Sequence, residues 1–268
     1  MSLRALLFRS VAQSKYVLIG GAVVFCVFQV LLIAQAAEIE RSQAFGRMAE
    51  FVPAFLQRGL GSQAMLLATF TGTVSFGYFH PIVVCIVSLI AVYLATEPAH
   101  DVESGLVDLV LARAVPRRHL VTRSLVLFMI ATALIVALMV CGTYGGLRWM
   151  VPPSAWPSPR LILLLALHLV AAAWCCGAVG LFLAASSQRW TTAFTTGALL
   201  VIVGYLIDFL AIGWAPARTL SWLFPFQYFP GLLIVGGTAH TARDLTVLLT
   251  ATATFVGLAY WRFERRDL

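Results

Sequence analysis

Six long apolar runs constrain the fold of this chain more than any other feature of its sequence. They lie at residues 17–36, 76–95, 124–147, 161–185, 193–213 and 245–261, with short polar segments between them. A helix needs about 20 predominantly apolar residues to cross the hydrocarbon core of a bilayer. A transmembrane barrel would instead show strands of about ten residues with alternating polarity. The sequence therefore predicts an all-α, polytopic membrane protein whose six transmembrane helices form a single domain over residues 1–268.

The composition agrees with a chain that lies almost entirely within a membrane or against it. Hydrophobic residues make up 61% of the chain and charged residues only 11%, whereas a soluble domain carries about 25% charged residues. The net charge of +7 is interpreted as a sign of membrane topology and of contact with the anionic lipid bilayer. No basic run alternates with aromatic residues, so nucleic acid is not an expected partner.

The distribution of basic residues predicts which side of the membrane each segment faces. With the N-terminus inside, the inner segments hold 11 of the 18 basic residues and the outer segments hold the other 7. An excess of Lys and Arg is typical of cytoplasmic segments. Both the N- and the C-terminus are therefore predicted to be cytoplasmic.

Two interpretations of the N-terminal segment are open. A basic start, an apolar run and the small residues at 34–36 resemble a cleavable signal peptide. The apolar run, however, is about 18 residues long, which exceeds most signal-peptide cores. Leu3, Leu6 and Leu7 share one helical face, and the nearby arginines lie off it. This pattern favours an N-terminal interfacial helix that leads into an uncleaved first span.

The chain lacks the motifs that usually bind a nucleotide or support catalysis. Its single lysine, Lys15, is not part of a Gly-Lys-Ser/Thr loop, so a Walker A site is not expected. The glycine pattern at residues 59–64 follows no strand and is interpreted as a chance match. The five cysteines show no metal-binding or redox spacing. We predict no catalytic, cofactor-binding or metal-binding residue, and a chain that is not an enzyme by itself.

Asp208 is the one acid deep within an apolar run, about three-quarters of the way along the fifth. An ionisable group in hydrocarbon is costly and usually has a functional or structural reason. The functional hypothesis is a proton or cation site, or a polar lining of a transport path. The structural hypothesis is an interhelical hydrogen bond, or a carboxylate that reaches the outer interface. Gln29 and His168 are predicted to form interhelical hydrogen bonds.

An aromatic, proline-rich segment at residues 214–230 follows the fifth run. Its aromatic residues are Trp214, Trp222, Phe224, Phe226, Tyr228 and Phe229. The prolines prevent one long helix, and aromatic side chains suit the headgroup level of a bilayer. An aromatic belt is the favoured interpretation, and an outer gate is the alternative.

A charged segment at residues 97–118 separates the second apolar run from the third. It contains the acids Glu97, Asp101, Glu103 and Asp108, followed by Arg113, Arg117 and Arg118. Leu106, Leu109, Val110 and Arg113 repeat at spacings of three and four, which predicts a helix with an apolar face. Pro116 would end this helix. The segment is predicted to form a short cytoplasmic helix that can receive force from a soluble partner.

Two motifs make the chain resemble the type-2 permeases of ATP-binding-cassette (ABC) transporters. In that family the first cytoplasmic loop has an acidic stretch, a glycine, a leucine-rich helix, and then a proline and arginine before the third span. The corresponding residues here are Glu97, Glu103, Gly105, Leu109–Leu111, Pro116, Arg117 and Arg118. The family also often ends in a basic Phe-x-Arg-Arg-Asp-Leu tail, and residues 263–268 have this form.

The resemblance implies a membrane subunit of an exporter in the plasma (inner) membrane. Such a subunit assembles with a separate ABC ATPase, usually two copies of each, and the second permease copy is identical or related. ATP and Mg²⁺ would be bound by the ATPase. The resemblance assigns the contact with the ATPase to a coupling helix between spans 2 and 3 and its flanks. The residues concerned are Glu97, Asp101, Glu103, Gly105, Leu109, Arg113, Pro116, Arg117 and Arg118.

The alternative is a secondary transporter or channel that is driven by an ion gradient and uses Asp208. Such proteins usually have clustered intramembrane charges, broken helices or inverted repeats. The sequence shows one deep acid and no convincing repeat. It therefore favours the ATP-driven permease, and it does not identify the substrate.

Overall fold

The computed structural model describes residues 3–42, 61–105, 116 and 118–265, and within them all regular structure is helical. The α-helices are α1 Leu3–Arg41, α2 Phe70–Phe79, α3 Pro81–Ala95, α4 Glu97–Glu103, α5 Arg118–Met150, α6 Pro159–Ser186, α7 Trp190–Ala211, α8 Ala215–Ser221, α9 Gly231–Val235 and α10 Thr241–Glu264. Short 3₁₀ helices lie at Gly61–Ala68, Pro153–Ala155 and Pro225–Tyr228.

Among the described residues, six helical segments are long and apolar enough to cross a membrane. They are Ala5–Arg41, Phe70–Glu103, Arg118–Met150, Pro159–Ser186, Trp190–Ala211 and Thr241–Glu264. The prediction of an all-helical, multi-pass membrane protein is confirmed, and each apolar run falls largely within one segment. The first segment is a continuous helix from Leu3 to Arg41. An interfacial position for its first turns stays a prediction.

The second segment is interrupted where α2 meets α3. His80 has an extended ψ of 130° and Pro81 begins α3, because proline disfavours a helical conformation in the residue before it. The His80 ring Nδ1 accepts a hydrogen bond of 3.3 Å from the backbone N–H of Ile82. This contact satisfies one of the free amide groups at the start of α3.

α6 lies at the centre of the bundle. In its most apolar 18-residue window 67% of residues are buried, against 22% in the windows of α7 and α10. Glycines let its neighbours approach closely. A Cβ on Gly177 would lie 2.8 Å from the ring of Phe128 in α5, and one on Gly180 would lie 3.3 Å from the Cα of Val92 in α3. α7 and α10 therefore present most of their apolar surface outwards.

Side-chain contacts fix which helix ends lie together. Gln13 and Ser14 of α1 line a cavity with Glu97 and Trp190, so the starts of α1 and α7 lie beside α4. We call this the α4 end of the bundle. At the opposite end, Arg41 donates a hydrogen bond of 3.4 Å to the backbone carbonyl of Met150.

The end of α10 also lies at the α4 end of the bundle. The hydroxyl groups of Tyr260 in α10 and Thr122 near the start of α5 are hydrogen-bonded at 2.7 Å. The start of α1 and the end of α10 thus share one end with α4 and the start of α5. The cytoplasmic location of both termini stays a prediction from the distribution of the basic residues.

The segment between α7 and α10 folds back into the bundle. Phe226 and Phe229 are only 3% and 7% exposed and belong to the main core, whereas Trp214 and Trp222 are 56% and 60% exposed. The aromatic belt predicted for this segment is wrong for the two phenylalanines. Pro225 separates Trp222 from Phe226, and the chain turns into the bundle there. The two tryptophans and the two phenylalanines therefore have different environments.

The packing of α1 on α5 gives a prediction for Gly142. A Cβ there would lie 2.6 Å from the carbonyl oxygen of Cys26 in α1, whereas one on Gly145 would meet no atom within 4 Å. We expect Gly142→Ala to lower the midpoint of thermal unfolding in detergent by several degrees, because overpacking costs about 1–3 kcal/mol. Gly145→Ala is the control and should leave the midpoint near that of the wild type. Equal effects of the two substitutions would contradict this packing.

Candidate functional site

A buried ion-pair cluster connects α4 to α5. Nη2 of Arg123 lies 2.6 Å from Oδ2 of Asp101 and 3.3 Å from Oε2 of Glu97. The side chains of Arg123 and Asp101 are 1% and 6% exposed, and that of Glu97 is 15% exposed. Asp101 accepts a hydrogen bond from Arg123, and Oε2 of Glu97 accepts none from the described residues. The cluster has one cation and two acids, so its formal charge is −1.

Glu103 connects the same short helix to α7. Its Oε2 accepts a hydrogen bond of 2.8 Å from the backbone N–H of Trp190, the first residue of α7. The first amide groups of a helix have no partner within the helix and carry a partial positive charge. A carboxylate at this position satisfies one of them and complements the helix dipole.

Aromatic rings reinforce the junction between α3, α4 and α7. Trp190 stacks on Phe194 with an interplanar angle of 2° and a centroid distance of 5.3 Å. Tyr93 of α3 meets Trp190 edge to face at 6.1 Å, and His100 of α4 does so at 6.4 Å. Beside these rings lies a cavity of about 280 Å³ that reaches Glu97 and the first helix. α4 is therefore held between two spans.

The structure describes most of the residues that the sequence assigned to coupling. Glu97 and Asp101 meet on Arg123, and Glu103 contacts α7 rather than this cluster. Gly105 has a φ of +69°, which favours glycine because a Cβ is strained there. Pro116 and Arg118 are exposed, and Arg118 begins α5. Leu109, Arg113 and Arg117 lie outside the described residues.

Sequence reasoning missed the roles of Arg123 and Trp190. A signal for the first was present, because Glu97 and Asp101 are four residues apart and share one face of α4. Glu103 is six residues from Glu97, about 240° away around the helix, and so faces a different neighbour. The amide of Trp190 had no sequence signal, because any residue except proline could donate from this position.

A second cavity, of about 450 Å³, lies near the opposite end of the bundle. Asp208, near the end of α7, lines it together with residues of α8, α9 and the α2–α3 break. The cavity wall contains Phe79, Val84, Tyr205, Asp208, Ala211, Ile212, Arg218, Phe226, Gln227, Phe229, Pro230, Gly231, Leu232 and Leu233. Within the described residues, the Asp208 carboxylate has no hydrogen bond or ion pair.

Two other buried polar residues, Gln29 and His168, contact backbone carbonyl groups. Nε2 of Gln29 in α1 donates a hydrogen bond of 2.9 Å to the carbonyl of Val74 in α2, so its predicted interhelical bond is confirmed. Nδ1 of His168 lies 2.8 Å from the carbonyl oxygen of Leu164 in its own helix. The prediction of an interhelical bond is wrong for this nitrogen. The His168 ring reaches the carbonyl group of the residue four positions earlier, one turn back in the same helix. Among the described residues, no group of three His, Cys, Asp or Glu side chains is placed to hold a metal ion.

Comparisons with known proteins give a family and no named relative. A family model described as "Protein of unknown function (DUF2705)" matches residues 13–268. No curated protein and no solved structure matches the chain.

Proposed function

We propose that this chain, which belongs to the DUF2705 family, is the permease subunit of an ATP-driven ABC exporter. The observation that carries the proposal is the double attachment of α4. Arg123 binds this short helix to α5, and Glu103 binds it to the first residue of α7. The sequence motif that resembles the coupling loop of type-2 permeases continues directly from α4.

The attachments of α4 give a physical route from the loop to the spans. A force applied to residues 106–115 acts on α4 at one end and on α5 at the other. Because Arg123 is buried and paired with Asp101, α4 and the start of α5 would move together. Glu103 would transmit the same displacement to α7. A solvated connector without these contacts would absorb the force.

The proposal places the α4 end in the cytoplasm, on the inner face of the plasma membrane. The first turns of α1 then lie at the cytoplasmic interface, and residues 106–115 form the coupling helix. Two copies of a separate ATPase bind ATP and Mg²⁺ and press on this helix when they close. The permease functions as a dimer of identical or related chains, with the substrate path between them.

The proposal is tested by purifying the chain in nanodiscs, alone and with a candidate ABC ATPase from a neighbouring reading frame. The chain alone is expected to hydrolyse no ATP, because its single lysine lies outside any phosphate-binding loop. The two proteins should co-purify as a complex that hydrolyses ATP. Failure of the ATPase to bind would contradict the proposal, as would transport by the chain with no ATPase present.

The second candidate is an ion-gradient-driven transporter. It is favoured by the position of Asp208, which lines a cavity next to the broken α2–α3 segment and the short helices α8 and α9. Broken helices often surround ion and substrate sites in secondary transporters. Transport that follows an imposed ion gradient without the ATPase, and that is lost in Asp208→Asn, would establish this candidate instead.

A further inference from the structure

The cavity that contains Asp208 combines one carboxylate with several aromatic rings. Phe79, Tyr205, Phe226 and Phe229 line it, together with aliphatic residues of α7 and α9. Its volume of about 450 Å³ is in the range of small-molecule binding sites. Most of its wall is apolar, so a ligand would need an apolar body and one group that suits Asp208.

The aromatic rings around Asp208 are held in place by tertiary contacts. Tyr205 and Phe226 pack edge to face with a centroid distance of 5.4 Å. Phe229 stacks on the buried His168 ring at 6.1 Å. A Cβ on Gly231 would lie 2.3 Å from the Phe79 ring. Only glycine therefore allows α9 to approach this ring so closely. Rings that are fixed before binding lower the entropic cost of recognition.

The Asp208 carboxylate forms no ion pair among the described residues. Arg218 lines the same cavity, but it is exposed and forms no ion pair with Asp208. A carboxylate in apolar surroundings is costly unless a cation or a proton neutralises it. A cation in this cavity would gain both the charge of Asp208 and the negative faces of the rings.

We propose that this cavity is a binding site for a lipophilic organic cation. The cationic centre, an ammonium or a phosphonium, would lie near Asp208, and its apolar substituents would pack on Phe79, Tyr205 and Phe226. A bare metal ion is a poor occupant, because one carboxylate supplies too few oxygen ligands. An organic anion would be repelled by Asp208. The site does not rest on the proposed ATP-driven function, because binding needs no ATPase.

The test uses tritiated tetraphenylphosphonium as the probe and tetraphenylborate as an anion of similar shape. Binding is measured by scintillation proximity on the full chain in nanodiscs of neutral lipid, with empty nanodiscs as the blank. Tetraphenylphosphonium should bind the wild type saturably. Labelled tetraphenylborate, measured in a separate assay because the two ions pair in solution, should not. This comparison involves no substitution, so it does not depend on the folding of a variant.

Three variants then locate the site. Asp208→Asn is expected to weaken binding about tenfold, because the opposite charge is lost. Arg218→Gln should strengthen it about threefold, because a like charge leaves the cavity wall. Glu38→Gln removes a carboxylate that is exposed near the same end of the bundle and should leave affinity unchanged. Thermal unfolding and gel filtration establish that each variant is folded.

Several results would overturn the proposal. The first is the absence of saturable tetraphenylphosphonium binding to the wild type. The second is saturable binding of tetraphenylborate, measured separately, with an equal affinity. The third is an unchanged affinity in a folded Asp208→Asn variant, or an equal loss in Glu38→Gln, because either would show that charge at Asp208 does not form the site.

Discussion

Replacing Arg123 by glutamine is expected to lower the midpoint of thermal unfolding by roughly 10 °C. Arg123 is 1% exposed and is the cation that both Asp101 and Glu97 contact. Its loss leaves both acids at the α4–α5 junction without the cation that they contact. Removal of one partner of a buried ion pair costs about 3–5 kcal/mol, because the remaining charge is desolvated and uncompensated.

The measurement is thermal unfolding of the purified chain in detergent. Arg118→Gln is the matched control, since Arg118 lies on the same helix but is exposed. It should change the midpoint by no more than about 2 °C, as expected for a surface substitution. The double variant Arg123→Gln/Asp101→Asn should be less destabilised than the sum of its single variants, because the two residues interact. An Arg123→Gln midpoint equal to that of the wild type would show that the cluster does not hold α4.

The spans could be predicted from sequence because each depends on a local property, the length of an apolar run. Their ends could not. The second run was predicted at residues 76–95 with a backward extension through 65–75, whereas its segment begins at Phe70 and extends to Glu103. The polar and small residues at 71–75 lower the apolar signal, yet they lie in a helix that packs on α1, where Gln29 bonds the carbonyl of Val74.

The junction at α4 was only partly predictable. Acids at 97 and 101 indicated a shared helical face, but the cation that they contact is 22 residues away from Asp101 in sequence. The resemblance assigned Glu103 to the contact with the ATPase. In the structure it accepts a hydrogen bond from α7, 87 residues away in sequence. Both contacts depend on how the helices are arranged, which no local spacing encodes.

The Asp208 cavity shows the same limit. The place of Asp208 along its run can be read from the sequence, and the structure puts it near the end of α7. The cavity itself is formed by Phe226 and Phe229, which turn inwards where a belt was predicted, and by the α2–α3 break at Pro81. Aromatic and proline content is compatible with both arrangements, so only the tertiary structure distinguishes them.

Replacing Leu109 by proline is expected to reduce the affinity of the ATPase for the permease about a hundredfold. The sequence predicts that Leu109 lies within the coupling helix, a region outside the described residues. Proline removes a helical hydrogen bond and clashes with the preceding turn, at a cost of about 3 kcal/mol. If the ATPase binds only the helical form, this cost is added to the free energy of binding. Because about 1.4 kcal/mol corresponds to a tenfold change in the dissociation constant, about 3 kcal/mol corresponds to about a hundredfold change.

The most direct measurement of the central claim is the affinity of the purified ATPase for the chain in nanodiscs, by surface binding. The wild type and Leu109→Met, which preserves the helix and its apolar face, should bind with affinities within about twofold of each other. Leu109→Pro should bind about a hundredfold more weakly, with an unfolding midpoint near that of the wild type. Equal binding by all three chains, or no binding by the wild type, would contradict the claim that this loop receives the force of a separate ATPase.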